Sequence, residues 1–311
     1  MRVICTDDTW PIDRAQGLLE RVGATVEFAY EVPAGDDIVG ILTYPGCPIG
    51  PDILAKAPNL QVVATCSGGI DHLDVAGLAA RGVWCCNIRN FCDQEVADHT
   101  MALVYACLRG VVMLDGLVRS GSWWPYPQAP RLVRGARVAV VGFGAIGRLM
   151  VENARGAGMD VLVVSQHATA DEIAATGAVK ADLEEALRTS DVVCLITSVT
   201  DATRGMIGAE QLALMREDAY LVNTARAALI DHDALGRALA AGRIAGCALD
   251  ALPVEPAPPG DPILDWPRTI VQPHAAFYSP ASELRSFDNP VEDVIRVLSG
   301  ETPVGGLAQP G

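Results

Sequence analysis

The fold of this chain is decided by one stretch, Arg137-Val138-Ala139-Val140-Val141-Gly142-Phe143-Gly144-Ala145-Ile146-Gly147. A run of apolar residues typical of a buried strand leads directly into three glycines, and a helical pattern follows. In such a turn the first glycine permits the sharp bend, the second lets the backbone approach a pyrophosphate, and the third lets helix and strand pack closely. The start of the helix adds free N–H groups and a partial positive charge. The stretch therefore predicts a dinucleotide site formed by Gly142, Gly144, Ala145, Ile146 and Gly147.

The sequence on either side of the glycines supports this interpretation. Arg137–Val141 is predicted as a strand, Ala145–Arg155 as a helix and Val161–Val164 as the next strand, which completes the βαβ unit that the motif requires. In a chain with 30 glycines among 311 residues the same spacing also arises by chance. The alternative interpretation is therefore a glycine turn with a purely structural role.

Composition excludes several classes of protein. The chain is half hydrophobic and 20% charged, which is ordinary for a globular protein, and its 311 residues suffice for two domains. A formal net charge of −15 and the lack of a Lys/Arg cluster argue against nucleic-acid binding. We see no secretory signal and no membrane span, so we expect a cytoplasmic protein without a membrane partner. The nine scattered cysteines fit a reducing compartment and indicate no metal site.

The chain before the glycine motif alternates short apolar runs with helical patterns. The predicted strands are Arg2–Thr6, Ile38–Tyr44, Leu60–Cys66 and Val83–Asn87, and the predicted helices are Arg14–Val22, Asp52–Ala57 and Val75–Ala80. The alternation resumes after the motif, with strands at Asp191–Ile196, Tyr220–Thr224, Gly246–Leu249 and Thr269–Gln272 and helices at Asp182–Arg188, Ala209–Met215 and His232–Ala241. Such alternation builds parallel sheets with helices on both faces.

Two further helices join these parts. The segment Glu95–Arg119 has apolar residues at helical spacing and is predicted as one long linking helix. The aromatic loop that follows, 123–127, could contact a partner subunit, close an active site or fill a core. Near the end, Asn289-Pro290 predicts the start of a closing helix, Val291–Leu298, which we expect to return to the first domain. The predicted domains are 1–94 with 276–311, and 95–275.

Three ionisable residues follow predicted strands of the second domain. Arg226 comes after Tyr220–Thr224, Glu255 after Gly246–Leu249, and His274 after Thr269–Gln272. In doubly wound folds ligands bind outside the carboxyl ends of the strands, so these side chains are expected to converge on one crevice.

This set of side chains suits the reduction of a ketone. Hydride arriving at carbon requires a proton at oxygen, which a histidine near neutrality can donate, and a carboxylate beside it fixes its tautomer. An arginine can hold a neighbouring substrate carboxylate in a fork and polarise the carbonyl. Each residue taken alone has a surface or structural alternative.

With these segments in order, the chain resembles the D-2-hydroxyacid dehydrogenase family over roughly residues 38 to 300. The resemblance rests on the ordered segments Gly142–Gly147, Asn223-Thr224-Ala225-Arg226, Ala248-Leu249-Asp250 with Glu255-Pro256, and Pro273-His274. It implies an α/β fold of two doubly wound parallel-sheet domains, with a Rossmann cofactor domain inserted into a smaller flavodoxin-like substrate domain. It further implies that Arg226, Glu255 and His274 are catalytic, that Asp250 meets the nicotinamide amide, and that Thr203 and Thr224 bind cofactor.

A finer likeness points to the branch of the C-terminal binding proteins, through Glu95-Val96-Ala97-Asp98-His99 and Pro273–Ser279. In the family, the turn at Ser67, Gly68 and Gly69 resembles the loop whose amides hold the substrate carboxylate; a simple left-handed turn would explain these glycines equally well. The resemblance implies an NAD- or NADP-dependent reductase that interconverts a small 2-keto acid and its D-2-hydroxy acid, and a homodimer. The alternative is a nucleotide-sensing, corepressor-like binding protein with little turnover.

The chain departs from the family pattern at two informative places. The residues after Val161–Val164 are Ser165, Gln166 and His167, where the family usually has an aspartate for the adenosine ribose. Neither a repelling carboxylate nor an attracting arginine stands there, so NAD and NADP both remain possible. Arg89 replaces a common proline and could bind a second anionic group of the substrate; the alternative is a solvent-exposed arginine.

Overall fold

The computed structural model describes residues 1–126 and 128–308, and Pro127 of the aromatic loop lies outside them. The strands, in chain order, are β1 (Arg2–Cys5), β2 (Thr25–Phe28), β3 (Ile38–Thr43), β4 (Val62–Thr65), β5 (Trp84–Cys86), β6 (Arg137–Val141), β7 (Asp160–Val164), β8 (Val179–Lys180), β9 (Val192–Leu195), β10 (Tyr220–Asn223), β11 (Gly246–Leu249), β12 (Thr269–Val271) and β13 (Gly306–Ala308). The α-helices are α1 (Ile12–Leu19), α2 (Val75–Ala79), α3 (Asp93–Arg109), α4 (Val111–Arg119), α5 (Ala145–Gly156), α6 (Ala170–Ala174), α7 (Leu183–Thr189), α8 (Ala209–Leu214), α9 (His232–Ala240) and α10 (Pro280–Leu298).

The chain divides into two compact units, Met1–Phe91 with Ser279–Gly311, and Cys92–Tyr278. We call them the outer unit and the inserted unit. Each contains its own sheet and its own buried hydrophobic clusters. The chain therefore enters the inserted unit once and leaves it once.

The outer unit is built on a six-stranded sheet in the order β13-β5-β4-β3-β1-β2. Its strands run parallel except β13, which pairs antiparallel with β5. The central strands β3 and β4 are buried throughout, as their near-continuous apolar sequence predicts. Helix α10 contributes Val291, Val294 and Ile295 to a core cluster that also contains Val3 and Leu19. The last helix therefore belongs to the unit in which the chain begins.

The inserted unit has a seven-stranded, fully parallel sheet in the order β12-β11-β10-β9-β6-β7-β8. The first strand of the unit, β6, lies inside the sheet, third from one edge, and the chain proceeds outward on one side through β7 and β8 and on the other through β9 to β12. This is the doubly wound order in which ligands bind where the strand order reverses, beside the carboxyl end of β6. The fold predicted from the sequence is confirmed.

The prediction of one long linking helix is wrong. Two helices, α3 and α4, occupy this segment and meet at a bend of 58°. Gly110 lies between them with φ +63°, and its N–H bonds to the carbonyls of Ala106 and Cys107. A left-handed residue of this kind closes a helix, and glycine adopts the conformation without steric cost. The apolar periodicity continued through Gly110 and concealed the break.

The predicted start of the closing helix at Asn289-Pro290 is also wrong. Helix α10 begins at Pro280, where the Ser279 hydroxyl accepts a hydrogen bond from the N–H of Ser282. Pro290 lies inside the helix and is buried. Serine followed by proline is as good a start signal as asparagine followed by proline, so local sequence alone could not choose between them.

The remaining differences concern short or edge elements. The strands β2, β8 and β13 and the short helix α6 had no clear periodicity, and the predicted helix Asp52–Ala57 is a 3₁₀ turn, Pro51–Ala55. No single helix in the described ranges has the length and apolarity to cross a membrane, and the bent pair α3 and α4 meets the criterion by length and composition only. Helix α3 buries eight of its residues within the protein, which is ordinary for a core helix.

Candidate active site

The glycine turn between β6 and α5 has the close contacts that its sequence predicts. Gly142 has φ +113°, and a Cβ atom there would lie 2.5 Å from the carbonyl oxygen of Ile196, at the end of β9. A Cβ at Gly147 would collide with the Gly142 carbonyl oxygen. Both positions therefore require glycine, the first for its backbone angle and the second for close packing of helix on turn.

Gly144 differs from the other two glycines because it faces open space. A Cβ there would meet no atom within 4 Å. Gly144 is the N-cap of α5, and no side chain caps this end of the helix. The first N–H groups of a twelve-residue helix are thus left for another acceptor. These features fit the pyrophosphate of a dinucleotide, which Gly144, Ala145, Ile146 and Gly147 would hold.

The loop after β7 contains Ser165, Gln166 and His167. The Ser165 hydroxyl accepts a hydrogen bond from the N–H of Ala168, while Gln166 and His167 are exposed. A cation that sequence reasoning missed lies against this loop, because Lys180 Nζ donates to the Ala168 carbonyl at 2.6 Å. Lys180 belongs to the edge strand β8, which the sequence pattern did not reveal. The loop thus contains no carboxylate of its own and has an ammonium group beside it.

The two threonines predicted to bind cofactor have structural partners. Thr203 donates to the Ser198 carbonyl at 2.7 Å and accepts from the N–H of Thr200 at 2.8 Å, so it closes the turn after β9. Thr224 and Thr100 share a hydrogen bond of 2.7 Å between their hydroxyl oxygens. Because Thr100 donates to the Val96 carbonyl, Thr224 must be the donor in that pair. Their cofactor contacts stay predictions.

Arg226 follows β10 on a turn that Asn223 shapes. Asn223 is fully buried; its Nδ2 donates to the Arg226 carbonyl at 2.9 Å and its Oδ1 accepts from the N–H of Ala225 at 3.0 Å. The Arg226 guanidinium is partly buried and donates one hydrogen bond, to the Ala225 carbonyl. Its other N–H groups remain available, since no carboxylate in the described part of the chain pairs with it.

Glu255 and His274 form a directly bonded pair. His274 Nδ1 lies 2.7 Å from Glu255 Oε2, and Glu255 Oε1 accepts from the N–H of Leu252 at 2.8 Å. Since an ionised carboxylate only accepts, the proton of the neutral imidazole is on Nδ1. The opposite nitrogen, Nε2, has no hydrogen-bond partner among the residues that the structure describes. Both side chains are 38% exposed, so this nitrogen can meet a small molecule.

Parallel pairing explains why these three side chains share an edge of the sheet. β10 pairs with β11, and β11 pairs with β12, in continuous register. Arg226, Glu255 and His274 each follow the carboxyl end of one of these strands. Asp250, directly after β11, is 1% exposed and accepts from the N–H groups of Ala275 and Ala276.

The outer unit contains the other predicted substrate residues. Ser67 donates to the Gly69 carbonyl at 2.7 Å, and the Ser67 hydroxyl is 3.2 Å from that of Thr65, which in turn lies 3.0 Å from His72 Nε2. Arg89 is exposed and donates to the Gly306 carbonyl at 3.0 Å. It has no ion-pair partner in the described ranges. The roles of Ser67, Gly68, Gly69 and Arg89 stay predictions.

Most of the cysteine side chains are buried. In residues 1–126 and 128–308, which include all nine cysteines, no disulfide bond is formed. Burial raises the pKa of Cys5 and Cys66 to about 12 and that of Cys85 to about 11, so these thiols stay protonated and unreactive at neutral pH. Within residues 1–126 and 128–308 we find no group of three or more His, Cys, Asp or Glu side chains that could hold a metal ion.

Comparison with known proteins identifies the family of the chain. The family model "D-isomer specific 2-hydroxyacid dehydrogenase, NAD binding domain" matches residues 101–276, which is more than half of the chain. A glyoxylate reductase of Korarchaeum cryptofilum is 36% identical over 272 residues, covering 86% of this chain and 81% of that protein. A glycerate dehydrogenase of Methylorubrum extorquens is 34% identical over 264 residues, 82% and 81% of the two chains.

The same relationship appears among solved structures. The TT0316 protein of Thermus thermophilus superposes with a TM-score of 0.89 at 29% identity, over 99% of this chain and 100% of that one. The finer likeness to the C-terminal binding proteins stays a prediction. On the family model and the identity of its relatives, the chain belongs to the D-isomer specific 2-hydroxyacid dehydrogenase family.

Proposed function

We propose that this protein is an NAD(P)-dependent oxidoreductase that reduces a small 2-keto acid to its D-2-hydroxy acid, and runs the reverse oxidation when reactants favour it. The observation that carries the proposal is the His274–Glu255 pair, with Nδ1 bonded at 2.7 Å and Nε2 open, on the same sheet edge as the cationic Arg226. Membership of the family and the glyoxylate reductase and glycerate dehydrogenase relatives support the same reaction class.

The proposed chemistry divides between the cofactor and the three side chains. A bound nicotinamide supplies the hydride that reaches the carbonyl carbon. His274, protonated, donates the Nε2 proton to the carbonyl oxygen as negative charge develops there. Glu255 stabilises the imidazolium and holds its ring plane, and Arg226 binds the substrate carboxylate and polarises the carbonyl. In the oxidation direction neutral His274 accepts the hydroxyl proton at Nε2.

We assign the cofactor site to the inserted unit. Gly142, Gly144, Ala145, Ile146 and Gly147 would hold the pyrophosphate, and Ser165, Gln166 and His167 would line the adenosine ribose. We assign the nicotinamide end of the cofactor site to Thr203, Thr224 and Asp250, as the family resemblance implies. The open space at Gly144 and the uncapped end of α5 support this assignment.

For the substrate we assign the Ser67, Gly68 and Gly69 turn to the reacting carboxylate and Arg89 to a second anionic group. The exposure of the Arg89 guanidinium supports that role, as does its single observed hydrogen bond, which goes to a main-chain carbonyl. A dianionic 2-keto acid would then be a better substrate than glyoxylate, and Arg89→Leu would remove the preference.

We further infer a cytoplasmic homodimer. The lack of a disulfide among the nine cysteines of the described ranges supports a reducing compartment. Exposed apolar side chains concentrate on α4 and the chain after it, a set formed by Val111, Val112, Val118, Trp123, Trp124 and Leu132. Exposed apolar side chains in this number support burial against a second copy. Light scattering on the protein as it elutes from a size-exclusion column measures its molecular mass and so tests the dimer. The mass of a monomer would contradict it.

The experiment that tests the function is a steady-state panel. Glyoxylate, pyruvate, hydroxypyruvate and dianionic 2-keto acids are each offered with NADH and with NADPH. Turnover of at least one acid to the D-hydroxy product supports the proposal. Tight cofactor binding without turnover of any acid would contradict it and favour the nucleotide-sensing alternative.

A further inference from the structure

His274 occupies an unusual main-chain conformation. Its φ is +54°, in the left-handed region that residues with a side chain rarely adopt. It shares this feature with only Asn90 and Arg268 among non-glycine residues of the described chain. The angle turns the chain sharply after β12 and Pro273 and thereby determines the direction in which the imidazole leaves the backbone. A residue held in such a conformation needs neighbouring contacts that favour it.

Asp250 supplies those contacts. Its main-chain carbonyl accepts from the N–H of His274 at 2.9 Å. Its carboxylate accepts from the next two N–H groups, Oδ1 from Ala275 at 2.8 Å and Oδ2 from Ala276 at 3.0 Å. Three consecutive amides of the turn are thus bonded to one residue, which is 1% exposed. Because charge-assisted bonds to a buried carboxylate are short and strong, the turn has little freedom.

A histidine also lies near the Asp250 carboxylate without bonding to it. His99, on α3, places Nε2 3.8 Å from Asp250 Oδ1, and this nitrogen is buried without a hydrogen-bond partner in the described ranges. The carboxylate that bonds to the His274 imidazole itself is that of Glu255. Oδ1 of Asp250 thus lies near His99 and also accepts the hydrogen bond from Ala275 in the His274 turn.

We propose that Asp250 is a positioning residue for His274: its carboxylate and carbonyl fix the left-handed turn so that the imidazole meets Glu255 at Nδ1 and presents Nε2. This inference rests on the proposed function, in which His274 is the proton donor. It adds to the expected contact of Asp250 with the nicotinamide amide a second role, which acts on the proton donor rather than on cofactor affinity. The two roles predict different effects of one substitution.

The substitution is Asp250→Asn, which keeps the size of the side chain but leaves one of the two amides facing an NH₂ group. We expect kcat at saturating NADH to fall about 10- to 100-fold, as for a misplaced catalytic group, and the solvent isotope effect on kcat to rise because proton transfer becomes slower. The Kd of NADH, measured by fluorescence quenching, should stay within about twofold of the original value, well below a tenfold change. A raised Kd with an unchanged kcat would overturn the proposal.

Asp191→Asn is the matched control. Asp191 is also a buried carboxylate of the inserted unit and accepts from a main-chain N–H, that of Arg137 at 2.6 Å. It precedes β9, at the amino edge of the same sheet. This variant should lower thermal stability and leave the solvent isotope effect unchanged. If both variants change the isotope effect alike, the role of Asp250 is general stability.

A crystal structure of the Asp250→Asn variant separates this inference from the proposed function. We expect His274 to leave the left-handed region and its Nδ1 to move beyond hydrogen-bond distance of Glu255. An unchanged turn would overturn the inference even if the enzyme is active, and a changed turn would support it even if no keto acid is reduced. Asp250→Ser, which keeps one acceptor, serves for all measurements if the asparagine variant does not fold.

Discussion

Nδ1 of His274 lies 2.7 Å from Oε2 of Glu255, and the two residues are brought together by the pairing of β11 with β12. The bond fixes the imidazole tautomer and leaves Nε2 as the nitrogen that can exchange a proton with substrate. Two side chains that are 38% exposed gain little stability from such an ion pair. The pair is therefore better explained by chemistry than by folding.

Glu255→Gln tests the contribution of the carboxylate charge. Glutamine can still accept from Nδ1 but no longer stabilises the imidazolium, so we expect kcat in the reduction direction to fall at least about 10-fold. Thermal stability should change little because the pair is exposed. Glu184→Gln, which removes a surface carboxylate paired with Arg188, is the control and should leave kcat unchanged. Equal activity of the Glu255 and Glu184 variants would contradict the assignment.

Arg226→Lys tests recognition of the substrate carboxylate. Lysine keeps the charge but loses the planar fork, and a hydrogen bond to a charged group is worth about 1.5–3 kcal/mol. We expect kcat/KM for a 2-keto acid to fall about 10- to 100-fold while the Kd of NADH is retained. Arg237→Lys, an exposed position on α9, provides the comparison. The assignment is wrong if both lysine variants retain full kcat/KM.

Lys180→Met tests the cation beside the Ser165 loop. Lys180 Nζ donates to the Ala168 carbonyl at 2.6 Å, so it places positive charge beside the loop to which we assign the adenosine ribose. An exposed charge pair is worth up to about 1 kcal/mol, so the Kd of NADPH should rise by about threefold to fivefold at low salt and less at high salt. The Kd of NADH should not change. An equal rise for both cofactors would show that Lys180 only supports the loop.

The buried imidazole of His232 should lower the free energy of unfolding in mild acid. Burial lowers its pKa below the usual 6.5, and its Nε2 is buried without a hydrogen-bond partner in the part of the chain that the structure describes. The folded state therefore disfavours protonation, the unfolded state binds the proton more readily, and stability falls as the pH drops below about 6.5.

His232→Gln should make the free energy of unfolding less dependent on pH between about pH 7 and about pH 5. Burial also lowers the pKa of His72, so part of the slope should persist. Urea titrations at several pH values measure it, with the exposed His167→Gln as the control. A slope identical to the original would exclude His232 as a source of acid sensitivity.

The sequence predicted the parts of this molecule that depend on local pattern. The Arg137–Gly147 stretch specifies strand, turn and helix within a few residues, and buried parallel strands are recognisable as apolar runs. The shared edge of Arg226, Glu255 and His274 followed from one topological rule, because carboxyl ends of parallel strands lie together.

The failures occurred where distant contacts decide the structure. Gly110 ends a helix inside an unbroken apolar pattern, and Ser279-Pro280 prevails over Asn289-Pro290 because the longer helix buries residues against the outer sheet. Lys180 approaches the Ser165 loop only because β8 pairs with β7. The bonds from Asp250 to the His274 turn join residues 25 and 26 positions apart, which no local pattern encodes.

The most direct measurement of the central claim is kcat of His274→Ala with saturating NADH or NADPH and the best 2-keto acid from the panel. We predict a fall of about 10²-fold or more, as for a lost general acid, with the Kd of the cofactor unchanged. A variant that turns over at nearly the original rate would contradict the assignment of His274 as the proton donor.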